Sequence, residues 1–309
     1  MQTLVIDHKE SQLTLRDRRV RIEVPNQKPQ FIPVAMVSRL VVTTGVWLHT
    51  SVIGALTAAG ASILVLSPRD HRKTAIISPP LGRDHALRLQ QYRSACDSEK
   101  TAMIAAAIVA MKLRGQLRTL RKLNTRKVAW RTAVRGILEL LPRLAKPCAL
   151  ETIRGIEGGG AAMYFKAIAE ALPSSLGFRK RQRRPPPDPV NAMLSLSYTL
   201  LHFEAVRITQ QAGFDACIGF LHAPEYSRES LACDCIEPLR PVIDDFVLEL
   251  FHSRAIRKEH FAAQQNICRL GKTGRGIFYM RWEQFAKLPR KALHKGVILL
   301  RKTIQEKTE

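Results

Sequence analysis

Acidic side chains are scarce in this sequence. Its 309 residues hold 26 Asp plus Glu against 49 Lys plus Arg, a formal net charge of +23. From Thr101 to Gly136 there is no acid at all. This excess is spread through the chain rather than confined to a tail. It favours polyanionic partners: DNA, RNA or an anionic membrane. Paired cysteines are also missing. The six cysteines, at 96, 148, 217, 233, 235 and 268, contain no CxxC pair. Their spacing excludes a disulfide framework and predicts reduced thiols in a cytosolic protein. The opening residues, Met1 to Asp7, lack a basic region followed by an apolar run, so no signal peptide is expected and a cytoplasmic location is predicted. No compact HExxH occurs, and no Ser-His-Asp or Cys-His pattern suggests covalent catalysis.

Between Arg39 and Arg69 the only titratable side chain is His49. That length suffices for a membrane span. Gly45, Gly54 and Gly60 interrupt it, however, with Thr and Ser scattered throughout. It parses better as a strand (Leu40–Thr44), a short helix (Leu48–Ala58) and a strand (Ser62–Leu66), with Gly60 suited to the left-handed position that ends a helix. No membrane association is predicted.

The preceding stretch is also strand-rich. Leu13 and Leu15, then Val20, Ile22 and Val24, alternate with polar residues around Arg16-Asp17-Arg18, which predicts two strands and a polar turn. Phe31 to Val42 is a further apolar run in which Pro33 suggests an edge or a strand start. Thr74 to Ile77 predicts a last short strand before Pro79-Pro80. The expected class is α+β, with a small β-rich domain over residues 1–88 and a larger α-helical domain over 89–309.

Beyond residue 88 the periodicity is helical. Ala86 to Leu113 carries apolar residues at helical spacing, and Asn191 to Gln211 resumes the pattern. Basic residues accumulate in the acid-free span from Lys112 to Arg135. A charge run of this kind is either a solvated face or a phosphate-contacting one, and the lack of mixed-sign pairs favours phosphate for part of it. Cys148 to Leu172 reads as a helix interrupted by Gly155 and Gly158 to Gly160. Glycines inside a helix cost about 1 kcal/mol each relative to alanine, so a helix end followed by a turn is expected there. The other reading is close approach of another helix or of a sugar-phosphate chain. Met163, Tyr164, Phe165 and Ile168 look like core positions. Arg179, Lys180, Arg181, Arg183 and Arg184 lie within six residues, followed by prolines that cannot continue a helix. They predict either a basic linker or, given the overall charge, an arm that neutralises DNA phosphates.

In so basic a chain, clustered acids ask for a reason. Asp234 and Glu237 stand three apart in Leu231-Ala232-Cys233-Asp234-Cys235-Ile236-Glu237-Pro238-Leu239-Arg240-Pro241, so on a helix they share a face. Pro238 lacks the N–H that the Asp234 carbonyl would use, which predicts a kink beside Glu237. His222 lies twelve residues before Asp234, and Glu157 precedes the glycine run. Two carboxylates and an imidazole suit a magnesium or manganese ion that leaves positions open for water and phosphate. Spacing leaves this open: a lone His is more often packed than ligating, and a carboxylate pair is more often on the surface. A zinc site from Cys233, Cys235 and His222 is another reading, though a cramped CxC without a second pair is rare in tetrahedral sites.

Four motifs occur in order: Ile153-Arg154-Gly155-Ile156-Glu157-Gly158 with Tyr164-Phe165; Arg184-Pro185-Pro186-Pro187-Asp188-Pro189-Val190-Asn191-Ala192; Gly219-Phe220-Leu221-His222; and Leu231 to Pro241. Together they resemble the CRISPR-associated integrase family of spacer acquisition, the first-numbered CRISPR-associated protein family. The resemblance implies a small N-terminal β domain, a larger α-helical catalytic domain, and homodimers that assemble with the small second CRISPR adaptation protein. It implies binding of duplex DNA with 3′ overhangs and attack of a 3′-hydroxyl on repeat DNA by transesterification, with cleavage of branched DNA. The family's metal-binding Glu, His and final acid fall on Glu157, His222 and Glu237, and Asp234 matches a further acid needed for activity. Met163 stands where relatives often carry a basic residue. The alternative to this enzyme is a non-catalytic DNA-binding scaffold whose acids merely form salt bridges.

Overall fold

The computed structural model describes residues 2–66, 74–79, 84–183, 185–226, 228–264 and 267–306. The chain separates into two compact units, Met1–Gly82 and Arg83–Glu309.

The first unit contains β1 (Gln2–Ile6), β2 (Gln12–Arg16), β3 (Arg19–Glu23), β4 (Gln30–Pro33), β5 (Val37–Val42), β6 (Trp47–Leu48), α1 (Thr50–Ala58), β7 (Ser62–Val65) and β8 (Ala75–Ile77). They make two sheets, in the orders β1-β5-β7-β8 and β4-β3-β2-β6. In the β2–β3 hairpin Leu13 faces Ile22 and Leu15 faces Val20. Its turn residues Asp17 and Arg18 have φ of 50° and 57°, the twist a two-residue hairpin turn needs. The Phe31–Val42 run divides between the sheets, with Pro33 in the edge strand β4 and a 3-10 turn at Val34–Met36 before β5. The segment that could have been taken for a membrane span is the strand–helix–strand β5, α1, β7, and Gly60 has φ of 80°. Leu40, Val52, Leu56 and Ile63 from these elements pack in one core with Leu13 and Val20. Among the described residues no helix is long and apolar enough to cross a membrane.

The second unit is helical: α2 (His85–Cys96), α3 (Ser98–Leu123), α4 (Val128–Leu140), α5 (Leu150–Ala171), α6 (Pro189–Gln211), α7 (Ser230–Ile236) and α8 (Arg240–His252). The antiparallel strands β9 (Phe261–Gln264) and β10 (Ile267–Leu270) follow, then α9 (Lys272–Phe285) and α10 (Lys287–Gln305). The helical stretch expected from Ala86 divides at Asp97, whose carboxylate accepts from the backbone N–H groups of Glu99 and Lys100 and so starts α3. Asp188 starts α6 in the same way through Asn191 N–H, with Pro189 at the first helical position.

The glycine run corrects the sequence expectation. Helix α5 continues without a break through Gly155 and Gly158–Gly160. Gly160 is buried, and a Cβ there would lie 2.5 Å from Leu113 of α3. Close packing of two helices therefore offsets the intrinsic cost of glycine. A second close approach brings α8 to α3, where a Cβ on Gly115 would lie 2.9 Å from Pro241. Met163 packs against Gly136 of α4.

Candidate active site around Lys112, Glu157, His222 and Glu237

The two tight contacts have one result. Gly115 and Gly160 each lie one turn beyond a charged residue, Lys112 on α3 and Glu157 on α5. Residues three apart share a helix face, so the glycine that lets the backbones close also brings its charged neighbour to the junction. There the Lys112 ammonium pairs with Glu157 and lies 2.6 Å from Glu237 Oε2. Lys112 is 5% exposed and Glu237 1%. Lys112 is therefore not part of a solvated or phosphate-contacting run. Farther along that run, Lys122 pairs with Asp245 and Arg135 with Glu139, so the acids absent locally come from outside the acid-free span.

The kink expected at Pro238 is present. Helix α7 stops at Ile236, a 3-10 turn spans Glu237–Leu239, and α8 begins at Arg240. The turn places Arg240 Nε 2.8 Å from Glu237 Oε1. Burial pushes the Glu237 carboxyl upward, but the Arg240 and Lys112 cations, with His222, outweigh it and bring it down to about 2.

His222 sits in the loop before α7, and Asp234 holds that loop. One Asp234 oxygen accepts from Phe220 N–H (2.6 Å) and Leu221 N–H (3.0 Å). The other accepts from His222 N–H (3.1 Å) and lies 2.7 Å from His222 Nδ1. An ionised carboxylate only accepts, so Nδ1 carries a proton, and Nε2 is turned away from Asp234. The loop is fastened from the other side by Arg154, whose Nε donates to Leu221 O at 2.8 Å. Gly219 admits the acid: a Cβ there would lie 2.6 Å from Asp234 Oδ2 and 2.8 Å from the Ser230 carbonyl carbon.

His222 Nε2 faces Glu237 Oε1 at 3.7 Å. A proton on Nε2, or a cation between the two atoms, makes this approach favourable. Two carboxylates and an imidazole fixed by a third carboxylate are a donor set suited to a divalent cation. Among the described residues, however, no three His, Cys, Asp or Glu side chains are close enough together to hold a metal ion. The Lys112 ammonium joins Glu157 to Glu237 instead. The zinc reading finds no such group either, and Cys235 is a partly buried thiol whose pKa desolvation and Asp234 push up.

Glu157 and Lys112 face a cavity of about 760 Å³, whose wall also carries Arg179, Lys180, Arg181 and Arg183. The basic loop thus lies beside Glu157. Arg179, Lys180 and Arg183 are exposed. Arg181 is turned inward, donating to Asn191 Oδ1 (2.9 Å) and Ser195 Oγ (3.1 Å). Arg184 lies outside the described residues.

The cavity wall also includes a buried acid, Asp244, that the sequence does not single out. Asp244 accepts from Tyr198 and, at 3.0 Å, from Tyr164. Arg240 and Arg181 lie 4.6 and 5.4 Å from the Tyr198 ring centre, within cation–π range. Tyr164 and Tyr198 were legible as helical core positions but not as partners of one acid. Burial raises Asp244 to about 6 against the two hydroxyls and the cations Arg240 and Lys112.

The chain matches the family model for CRISPR associated protein Cas1 over residues 4–284. It is 34% identical over 297 residues to CRISPR-associated endonuclease Cas1 1 of Thermodesulfovibrio yellowstonii, covering 94% of this chain and 93% of that relative. Its fold is similar to a solved CAS1 protein from Thermotoga maritima, with TM-score 0.87 and 22% identity over all of this chain and 98% of the other. A solved casposase bound to integration product gives TM-score 0.86 and 21% identity, over all of this chain and 92% of that one. On the strength of the family match, which covers nearly the whole chain, this protein belongs to the Cas1 family.

Proposed function

We propose that this chain is a CRISPR adaptation integrase: a magnesium- or manganese-dependent DNA endonuclease that also joins 3′-hydroxyl ends of a captured DNA fragment to repeat DNA. The observation that carries the reading is Glu237 facing His222 and joined to Glu157 through Lys112, with Asp234 fixing the imidazole, beside a cavity lined by basic residues. The naming of relatives as endonucleases, and of a structural neighbour as a casposase bound to integration product, supports it.

Glu157, His222 and Glu237 would hold the metal ion. A bound divalent ion supplies Lewis acidity at a phosphoryl oxygen and offsets charge on the leaving oxygen. The protein's own part is positioning. Asp234 keeps Nδ1 protonated and Nε2 free. Arg240 keeps Glu237 ionised. Lys112 balances the two carboxylates and competes with the metal for them. Arg179, Lys180 and Arg183 contact phosphates along the cavity, so affinity falls steeply with salt. The attacking group is a 3′-hydroxyl or water, with no covalent protein intermediate. Duplex DNA with 3′ overhangs and repeat DNA are the substrates. The N-terminal β-rich unit serves homodimerisation and contact with the small second CRISPR adaptation protein.

A second reading, a non-catalytic basic DNA-binding scaffold, is favoured by one observation: Lys112 already satisfies Glu157 and Glu237 as ion pairs. A strand-transfer assay with a 3′-overhang duplex and a repeat target separates the two. Joining that requires manganese and disappears in Glu157→Ala, His222→Ala and Glu237→Ala supports the integrase. Unchanged joining in folded variants leaves only the scaffold.

A further inference from the structure

Away from the carboxylate junction, three side chains form a separate chemical unit. His202 on α6 has Nε2 3.2 Å from Glu229 Oε2. Its other ring nitrogen, Nδ1, lies 3.9 Å from Cys233 Sγ. Glu229 and Cys233 are spaced by one helical turn, with Cys233 N–H donating to Glu229 O at 3.0 Å, so one turn of chain presents a carboxylate and a thiol to opposite ends of one imidazole. This is the geometry that lets a histidine draw the proton from a thiol while a carboxylate stabilises the resulting imidazolium.

We infer that Cys233, with His202 and Glu229, is an oxidant-sensing modification site whose substrate class is small hydroperoxides. The Cys233 thiolate attacks one peroxide oxygen. The S–O bond forms, the O–O bond breaks, and sulfur is oxidised to the sulfenic acid as the peroxide is reduced. The leaving hydroxide, or alkoxide from an organic hydroperoxide, takes the Nδ1 proton of His202 and departs as water or alcohol, and the Glu229 carboxylate keeps the remaining Nε2 proton in place.

The surroundings agree. Burial pushes the Cys233 thiol up, but hydrogen bonding and charge from His202 outweigh it, with Arg240 and Arg228 adding to the fall. Burial lowers His202, and its contacts with Cys233 and Glu229 more than reverse that, to about 9. The other cysteines with a shift go the opposite way. Cys217 is raised by burial and Asp215, and Cys268 is pushed up to about 11 by burial and Asp188. Exposure alone would predict a different order, because Cys96 and Cys217 are exposed while Cys233 is only partly so.

The test uses the full chain at pH 7, treated with hydrogen peroxide in the presence of dimedone, with adduct at each cysteine followed by mass spectrometry. Cys233 is expected to be labelled fastest, ahead of the exposed Cys96 and Cys217. His202→Gln should slow Cys233 by about tenfold or more, since each unit by which the thiol pKa rises above ambient pH is about a tenfold drop in thiolate, and leave Cys96 unchanged. Glu229→Gln should slow it by less. Labelling of Cys96 or Cys217 as fast as Cys233 in the unaltered protein overturns the inference and needs no variant. A Cys233 rate untouched by His202→Gln in folded protein overturns it as well.

Discussion

Glu237 and Asp244 are both buried carboxylates, seven residues apart on one short segment, yet they are driven in opposite directions. Glu237 has Arg240 and Lys112 within ion-pair reach and is brought down to about 2. Asp244 has two tyrosine hydroxyls as direct partners and is pushed up to about 6 by burial. The lesson is that burial alone does not set the ionisation of an acid; the partner does. Cations keep Glu237 anionic. Neutral donors hold Asp244 in a place that orders Tyr198 beneath Arg240.

The contrast can be broken experimentally. Replacing Glu237 by Ala should cost the most, on the order of 10³-fold in metal-dependent DNA cleavage, because loss of the Lewis acid removes several kcal/mol of transition-state stabilisation. Nuclease assays over a manganese titration would read this, and chelation of the unaltered protein should reproduce it. Lys112→Met leaves two carboxylates without their shared cation and should destabilise the metal-free protein by about 3–4 kcal/mol. Thermal melts should show saturating manganese recovering part of that loss, an outcome the scaffold reading does not predict.

Asp244 should show itself in pH dependence. Its folded pKa, about 6, lies above its ordinary 3.8, so the folded state holds the proton more tightly than the unfolded one. Its contribution to stability is therefore greatest below about pH 4, falls as pH rises to about 6, and is flat above; two pKa units set a ceiling of about 3 kcal/mol. Denaturant midpoints from pH 4 to 7 should lose this slope in Asp244→Asn. Asp234→Asn should lower activity by about 10- to 100-fold, as for other groups that orient a ligand, with circular dichroism unchanged. The smallest effect is expected at the exposed loop. Lys180→Ala and Arg183→Ala should each weaken DNA binding a few-fold and reduce the salt slope by about one.

Much of this is legible in the sequence. The β2–β3 hairpin, the strand–helix–strand after Arg39 and the helical remainder follow from period and punctuation, which are local. The motifs around Glu157, His222 and Glu237 carried the resemblance to the family. What stayed hidden depends on packing between distant segments. Nothing in a run of nine basic residues marks Lys112 as the one closed between α5 and the Glu237 turn; that follows from the contacts at Gly115 and Gly160. The glycines of α5 read locally as a helix end because the neighbour that accommodates Gly160 is 47 residues away at Leu113. Cys233 and His202 are 31 residues apart, with no spacing signal to join them.

The short joint at Pro238 constrains how this protein can evolve. Asp234 steers the histidine from one side of it, Glu237 occupies it, and Arg240 answers from the far side. Each residue added to or removed from a helix turns everything beyond by about 100°. A single insertion between Glu237 and Arg240 would swing the acid away from its guanidinium while every side chain remained in the gene. The length of this stretch is therefore as binding as the identity of the three side chains it carries.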